Sequence, residues 1–374
     1  MIIYLAVFLS SCFCFYLKDR ISGWLSFFLT SIGILLPCLL AAVRDESIGT
    51  DVTVYGVYVY EDTQNVNLLD AFTLLPNDPD GFITLAWLVN LMKGSFPVFL
   101  FAIELLVIVP AYLSISYFLK KDTWLGMLIF YLLFYAISLN LMKQMIAVSL
   151  TALALRLTLE KRYKSWILCS VIATLIHQTG IVSFLIYPLS LFFIRTVNSS
   201  FIRKMLIYLI SFFAIVAILI FSNTFLTVLS GMKESYSYMT ANTNKGGILI
   251  TPLIYLGFII FLHYMDSRTR AMTGSTQDFH YLNENKNDSF IEYLSILGLL
   301  LMELQIITLG LARFGYYFEF YLSIYVVNMI KRNNISIKLL SAIFIVCIAI
   351  LQIKFVLDGN CQVYPYKSAI LGIY

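Results

Sequence analysis

Eleven apolar runs partition this chain, at about 2–17, 21–43, 96–119, 123–142, 144–160, 165–194, 205–229, 248–265, 290–311, 314–330 and 337–357. Lipid offers no partner for a backbone N–H or C=O, so a segment that crosses it must satisfy its own hydrogen bonds. A helix of about 20 residues does this and spans the hydrocarbon. Most of the runs reach that length alone. A transmembrane barrel would instead show short segments of alternating polarity. Composition agrees with helices in lipid: 60% of residues are hydrophobic and 12% are charged, against about 25% charged in soluble domains. The expectation is an all-α polytopic membrane protein with about 11 transmembrane or re-entrant helices. It forms a single integral membrane domain over residues 1–374.

The basic residues set the orientation. Lys18 and Arg20 follow the first apolar run, whereas a cleavable leader carries its cations in front. This predicts a retained first helix with its N-terminus outside. Residues 123–160 lie between Lys120–Lys121 and the cluster Lys161, Arg162 and Lys164, so two helices must go out and return, turning near Asn140–Gln144. The segment 165–194 is likewise flanked by cations and too short for two full crossings. It predicts short or re-entrant helices meeting at His177-Gln178-Thr179-Gly180. In this arrangement 17 of the 25 Lys and Arg residues fall on the cytoplasmic side. Outer loops are expected at 44–95 and 230–247, with a polar cytoplasmic loop at 266–289. Five of the six cysteines lie inside apolar runs, and no spacing suggests zinc or a disulfide framework.

Isolated charges at the ends of apolar runs are costly unless they serve a purpose. Arg44, Asp51, Lys143, His177 and Arg313 all fall on the expected outer side. Gly49-Thr50-Asp51 reads as a turn. Arg44 suits phosphate because its planar fork donates parallel hydrogen bonds, although a snorkelling arginine and a turn aspartate would look the same. Lys143-Gln144 sits at the outer turn, where an interfacial anchor is the plain alternative. His177 has the intrinsic pKa for proton transfer, yet a lone histidine in a bundle is often a packing residue. Glu319, six residues past Arg313, lies in an apolar run and needs a partner or a task, as do Glu104 and Glu303. Many of the 25 tyrosines, Tyr55 and Tyr317 among them, lie near the outer face. Belts of aromatic residues at the lipid–water boundary explain most of them, and sugar stacking is the other use. There is no P-loop, GxSxG, HExxH or nucleic-acid patch. A pocket lined by cations and facing away from nucleotides suggests an anionic, lipid-linked, already activated substrate.

Several short pieces then form a pattern: Arg44…Gly49-Thr50-Asp51…Tyr55, Lys143-Gln144-Met145-Ile146-Ala147, Ala173-Thr174-Leu175-Ile176-His177, Arg313…Tyr317-Phe318 and Pro365-Tyr366-Lys367. In this set and order the chain resembles the EpsG-like family of Wzy-type polysaccharide polymerases, which includes O-antigen polymerases. The family usually has Arg before the Gln where this chain has Lys143, so Arg44 and Arg313 carry more of the expected phosphate binding. The resemblance implies a GT-C-like multi-helix bundle with an outward-facing cavity in a bacterial inner membrane, its active site on the periplasmic or extracytoplasmic side. It implies a glycosyltransferase that moves a growing chain from undecaprenyl diphosphate to the non-reducing end of a new lipid-linked repeat unit, building O-antigen, capsule or exopolysaccharide. Donor and acceptor are both undecaprenyl-diphosphate-linked oligosaccharides, and a chain-length regulator protein is a further implied partner. Arg44, Arg313 and Lys143 would bind the diphosphate, and His177 or Asp51 would handle the acceptor proton. Gln144, Tyr55, Tyr317 and Glu319 would support them. No cofactor and no metal are expected, because the cations already supply positive charge. Two other readings use the same composition: a transporter or flippase of lipid-linked sugar, and a membrane acyltransferase acting on glycans. A transporter would show broken helices in both halves, and only one such pair is legible here.

Overall fold

The computed structural model describes residues 1–197, 207–211, 213, 217, 249–273, 279–307, 309–332 and 334–374. The expected outer loop 230–247 and most of the apolar run 205–229 lie outside these residues. Among the described residues the regular structure is helical, and a single isolated bridge joins Ser368 and Ile373. The chain is an all-α, multi-pass membrane protein. It divides into two compact units, Met1–Tyr187 with Ile345–Tyr374, and Pro188–Phe344.

Six described helical segments are long and apolar enough to cross a membrane: Trp24–Ala42, Phe96–Asn140, Met142–Leu159, Ile250–Thr269, Asn287–Ile306 and Ile335–Leu357. The expectation was about 11 segments, and the difference has local causes. Runs 96–119 and 123–142 belong to one helical stretch of 45 residues, longer than one crossing requires. The chain departs from helical geometry inside it at Lys120, φ +52°. The run 165–194 divides into the shorter helices Tyr163–Ile176 and Gln178–Phe193. The run 314–330 is likewise broken into short pieces.

In the first unit, α1 (Ile2–Lys18) packs on α2 (Trp24–Ala42). The Phe15 ring lies where a Cβ on Gly33 would stand, 2.6 Å away, and the Ser11 hydroxyl donates to the Gly33 carbonyl at 2.6 Å. The expected outer loop 44–95 is largely helical. A π-helical turn Val52–Gly56 leads into α3 (Val57–Asp62), α4 (Leu68–Leu74) and α5 (Asp80–Leu91). Next come α6 (Phe96–Leu119), α7 (Thr123–Phe130), a π-helical segment Tyr131–Tyr135 and α8 (Ala136–Asn140). Leu141 (φ −90°, ψ 56°) breaks the helix before α9 (Met142–Leu159), inside the span predicted to turn. The helix α9 packs on both α6 and α10 (Tyr163–Ile176). It is buried along most of its length, with Ala147, Ala152 and Ala154 admitting its neighbours closely. The second predicted break also forms. His177 is extended (φ −153°, ψ 128°), followed by a 3₁₀ turn Gln178–Ile181 and α11 (Val182–Val197). Gly180 is required there, because a Cβ would stand 2.3 Å from the Ala173 carbonyl oxygen.

The second unit holds α12 (Ile250–Thr273), α13 (Phe279–Met302), α14 (Leu309–Ala312), α15 (Tyr316–Glu319), α16 (Leu322–Ile330) and the start of α17 (Ile335–Leu357), whose end belongs to the first unit. Residues 266–289 were expected to be a polar loop. Residues 274–278 lie outside the described residues, and α12 and α13 run into the two ends of the segment, where Asp266 and Asp288 have partners. Arg332 bonds Asp288 at 3.0 Å and lies 3.8 Å from Asp266, and Asn328 donates to Asp288 at 2.9 Å.

Candidate functional site

The break around Leu141 is where Arg44, Asp51, Tyr55 and Lys143 come together. The turn after α2 presents Arg44 and then Gly49. Gly49 has φ +87°, and a Cβ on it would stand 2.2 Å from the Leu139 carbonyl oxygen. Only glycine satisfies both the backbone angle and that approach. The contact sets Thr50 and Asp51 against Asn140, whose Oδ1 accepts from the Thr50 hydroxyl at 2.6 Å and from the Asp51 amide at 3.4 Å. Asp51 is half-buried at the start of the Val52–Gly56 turn.

Arg44 is 6% exposed. Among the described residues its guanidinium makes one hydrogen bond, from Nη2 to Sδ of Met142 at 3.3 Å. Its Nε is buried without an acceptor. Among the described residues no carboxylate lies within ion-pair distance, although Glu104, Tyr135, Tyr4 and Tyr366 are close enough to be felt. Burial pushes the guanidinium pKa down, and Glu104 is the charge that most opposes this. Glu104, on α6, is 1% exposed and accepts from the Ser138 hydroxyl at 3.0 and 3.2 Å.

Lys143 is placed differently. Its Nζ bonds Asp78 Oδ1 at 3.0 Å and lies 3.7 Å from the centre of the Tyr55 ring. The Tyr58 hydroxyl donates to the other oxygen of Asp78. Burial first, and then this bond to Asp78, raises the Tyr58 pKa, so the phenol stays a donor. Gln144, the next residue, is buried in α9.

His177 follows the end of α10, against which Gly81 of α5 packs so closely that a Cβ would lie 2.8 Å from the Leu175 carbonyl carbon. Its Nδ1 lies 2.6 Å from the Thr179 hydroxyl and 3.3 Å from the Thr179 amide nitrogen. The Thr179 amide donates to Nδ1, so Nδ1 is an acceptor here and the neutral ring carries its proton on Nε2.

The segment after α17 packs on the same end of α2. The Tyr366 hydroxyl donates to the Leu40 carbonyl at 2.8 Å, the Tyr4 hydroxyl to the Val363 carbonyl at 2.7 Å, and the Asp45 amide to the Lys367 carbonyl at 2.9 Å. Tyr366, part of the late sequence piece Pro365-Tyr366-Lys367, thus stands beside Arg44.

Arg313, Tyr317 and Glu319 belong to the second unit. Arg313 is exposed in a 3₁₀ turn, and Tyr317 is fully buried. Glu319 is 3% exposed. Its backbone is pressed against Gly298 of α13, where a Cβ would stand 2.2 Å from the Glu319 nitrogen. The partner expected for its carboxylate is not found among the described residues.

Sequence reasoning missed Asp78. Pro76-Asn77-Asp78-Pro79 reads as a surface turn, and its lysine is 65 positions away. A carboxylate between two prolines in a loop facing an isolated lysine was the signal available.

The sequence profile of the EpsG family matches residues 26–368. No curated protein and no solved structure matches this chain.

Proposed function

Because this chain belongs to the EpsG family, a family of Wzy-like polysaccharide polymerases, we propose that it joins lipid-linked oligosaccharide repeat units at the site around Arg44. The observation that carries the reading is a guanidinium 6% exposed with its Nε lacking an acceptor. A buried cation left this open is suited to an anion, and an arginine fork matches phosphate oxygens.

In the proposed reaction the bond between the anomeric carbon of the growing chain and its diphosphate oxygen breaks. The electron pair stays with undecaprenyl diphosphate, whose developing charge Arg44 stabilises. A hydroxyl at the non-reducing end of a second lipid-linked unit forms the new C–O bond. Its proton passes to Asp51 or, once Nδ1 gives up the Thr179 amide, to His177. Lys143 joins the diphosphate only by releasing Asp78, so its first role is to order the Tyr55 segment. Arg313 retains its proposed role as a diphosphate ligand, tested by Arg313→Ala. The site would open on the extracytoplasmic face of a bacterial inner membrane in a GT-C-like bundle. Its product would be O-antigen, capsule or exopolysaccharide, with chain length set by a regulator protein.

Purified protein given an undecaprenyl-diphosphate-linked repeat unit should yield a ladder of longer products without nucleotide or ion gradient. Movement of the lipid-linked unit across the bilayer with no ladder would reject polymerisation in favour of transport. His177→Ala should lower kcat by about 10²-fold or more while leaving donor KM unchanged. A variant that merely failed to accumulate would assign His177 to packing.

A further inference from the structure

We infer that Glu104 is a counter-charge built into the Arg44 site, a buried carboxylate that opposes the bound anion and sets how readily a polyprenyl diphosphate leaves. The inference rests on the diphosphate reading of Arg44 and adds a release function to it.

Arg44 and Glu104 are both almost wholly buried, and their hydrogen-bond partners, Met142 and Ser138, stand four positions apart around the Leu141 break. Yet they form no ion pair. Each is held by a different neighbour, Arg44 by the Met142 sulfur and Glu104 by the Ser138 hydroxyl. The single Ser138 hydroxyl hydrogen is shared between Glu104 and the Tyr135 carbonyl, 2.8 Å away in the turn preceding α8. Ser138 and Met142 lie on opposite sides of the Leu141 break, so the break keeps the two charges apart.

The arrangement has a physical logic. A guanidinium buried alone is costly, and an opposite charge nearby offsets part of that cost. A closed pair would occupy the fork and shut out an anion. Held at a distance, Glu104 offsets the buried charge and leaves the fork open. It then lies near any anion that docks, and like charges in a buried site repel. A polymerase working this way needs such repulsion. The cation that stabilises departing undecaprenyl diphosphate must also let it go before the next cycle, and tight uniform binding would slow that step.

The test uses the full-length protein in nanodiscs, with geranylgeranyl diphosphate as the binding probe and the lipid-linked repeat unit for turnover. Glu104→Gln preserves shape and the Ser138 contact. It should bind the probe about tenfold more tightly, with KM and kcat falling together because release becomes limiting. Glu104→Asp should return both towards the parent values. The gain should vanish in the Arg44→Ala/Glu104→Gln double variant. Ser138→Ala is the independent arm. It frees the Glu104 carboxylate to close on Arg44 and should weaken probe binding about tenfold. Unchanged or weaker binding in Glu104→Gln overturns the inference. If that variant does not accumulate, unchanged binding in Ser138→Ala does so. Loss of binding in Arg44→Ala with no effect of Glu104→Gln would sink the counter-charge alone. Normal binding in Arg44→Ala would sink the diphosphate reading with it.

Discussion

Arg44 and Lys143 contact the same break in the chain, and the protein treats them in opposite ways. Lys143 is matched by Asp78 at 3.0 Å and rests on Tyr55. Arg44 is more deeply buried, bonds one sulfur and, among the described residues, has no carboxylate at pairing distance. Both are isolated cations at the ends of apolar helices, and sequence nominates them equally. Their partners separate them: Lys143 is bonded to Asp78, and Arg44 keeps a buried Nε with no acceptor among the described residues.

The largest effect should come from removing the open cation. Arg44→Ala should lower chain elongation by about 10²–10³-fold at normal protein levels, read as loss of the product ladder. Arg44→Lys should recover only part of this, because an ammonium lacks the fork. Near-parent elongation in Arg44→Ala would erase the contrast. Lys143→Ala strands the buried Asp78 carboxylate and should cost about 3 kcal/mol of stability, seen in thermal unfolding in detergent. The folded fraction should retain more activity than Arg44→Ala does. Equal activity losses per folded molecule would show the two cations to be equivalent. Gly49→Ala forces an unfavourable backbone angle and a Cβ into the Leu139 carbonyl. It should destabilise by about 1–3 kcal/mol, with activity falling because the Arg44 turn shifts. Tyr58→Phe removes one donor from Asp78 and should cost about 1 kcal/mol, measured the same way, with elongation little changed.

The membrane class, the helical content and both breaks were legible in the sequence for one physical reason. Polar residues interrupting an apolar run cannot be hidden from lipid, so Asn140–Gln144 and His177–Gly180 had to mark places where the chain leaves regular helix. Gly49-Thr50-Asp51 was readable as a turn, but not its reason, the approach of the Leu139 carbonyl from 90 positions away in the chain. Asp78 was hidden for the same reason, since no local rule ties a proline-flanked turn to a distant lysine. At the two ends of 266–289 polarity suggested loop, whereas Arg332 stands against Asp266 and Asp288 and the helices continue there. Glu319 shows a further limit. Charge in an apolar run implies a partner, and the described residues supply only close backbone packing against Gly298.

The docking of residues 363–368 against Tyr4, Leu40 and Val43 bears on how the protein is made. The Tyr4–Val363 bond spans 359 positions and the Tyr366–Leu40 bond 326. A ribosome adding about 5–20 residues per second exposes the early helices for tens of seconds before that clasp exists. Until then the nascent protein carries its arginine with one wall of the surrounding shell still unsynthesised. The surroundings of Arg44 are therefore completed only after residues 363–368 have been made.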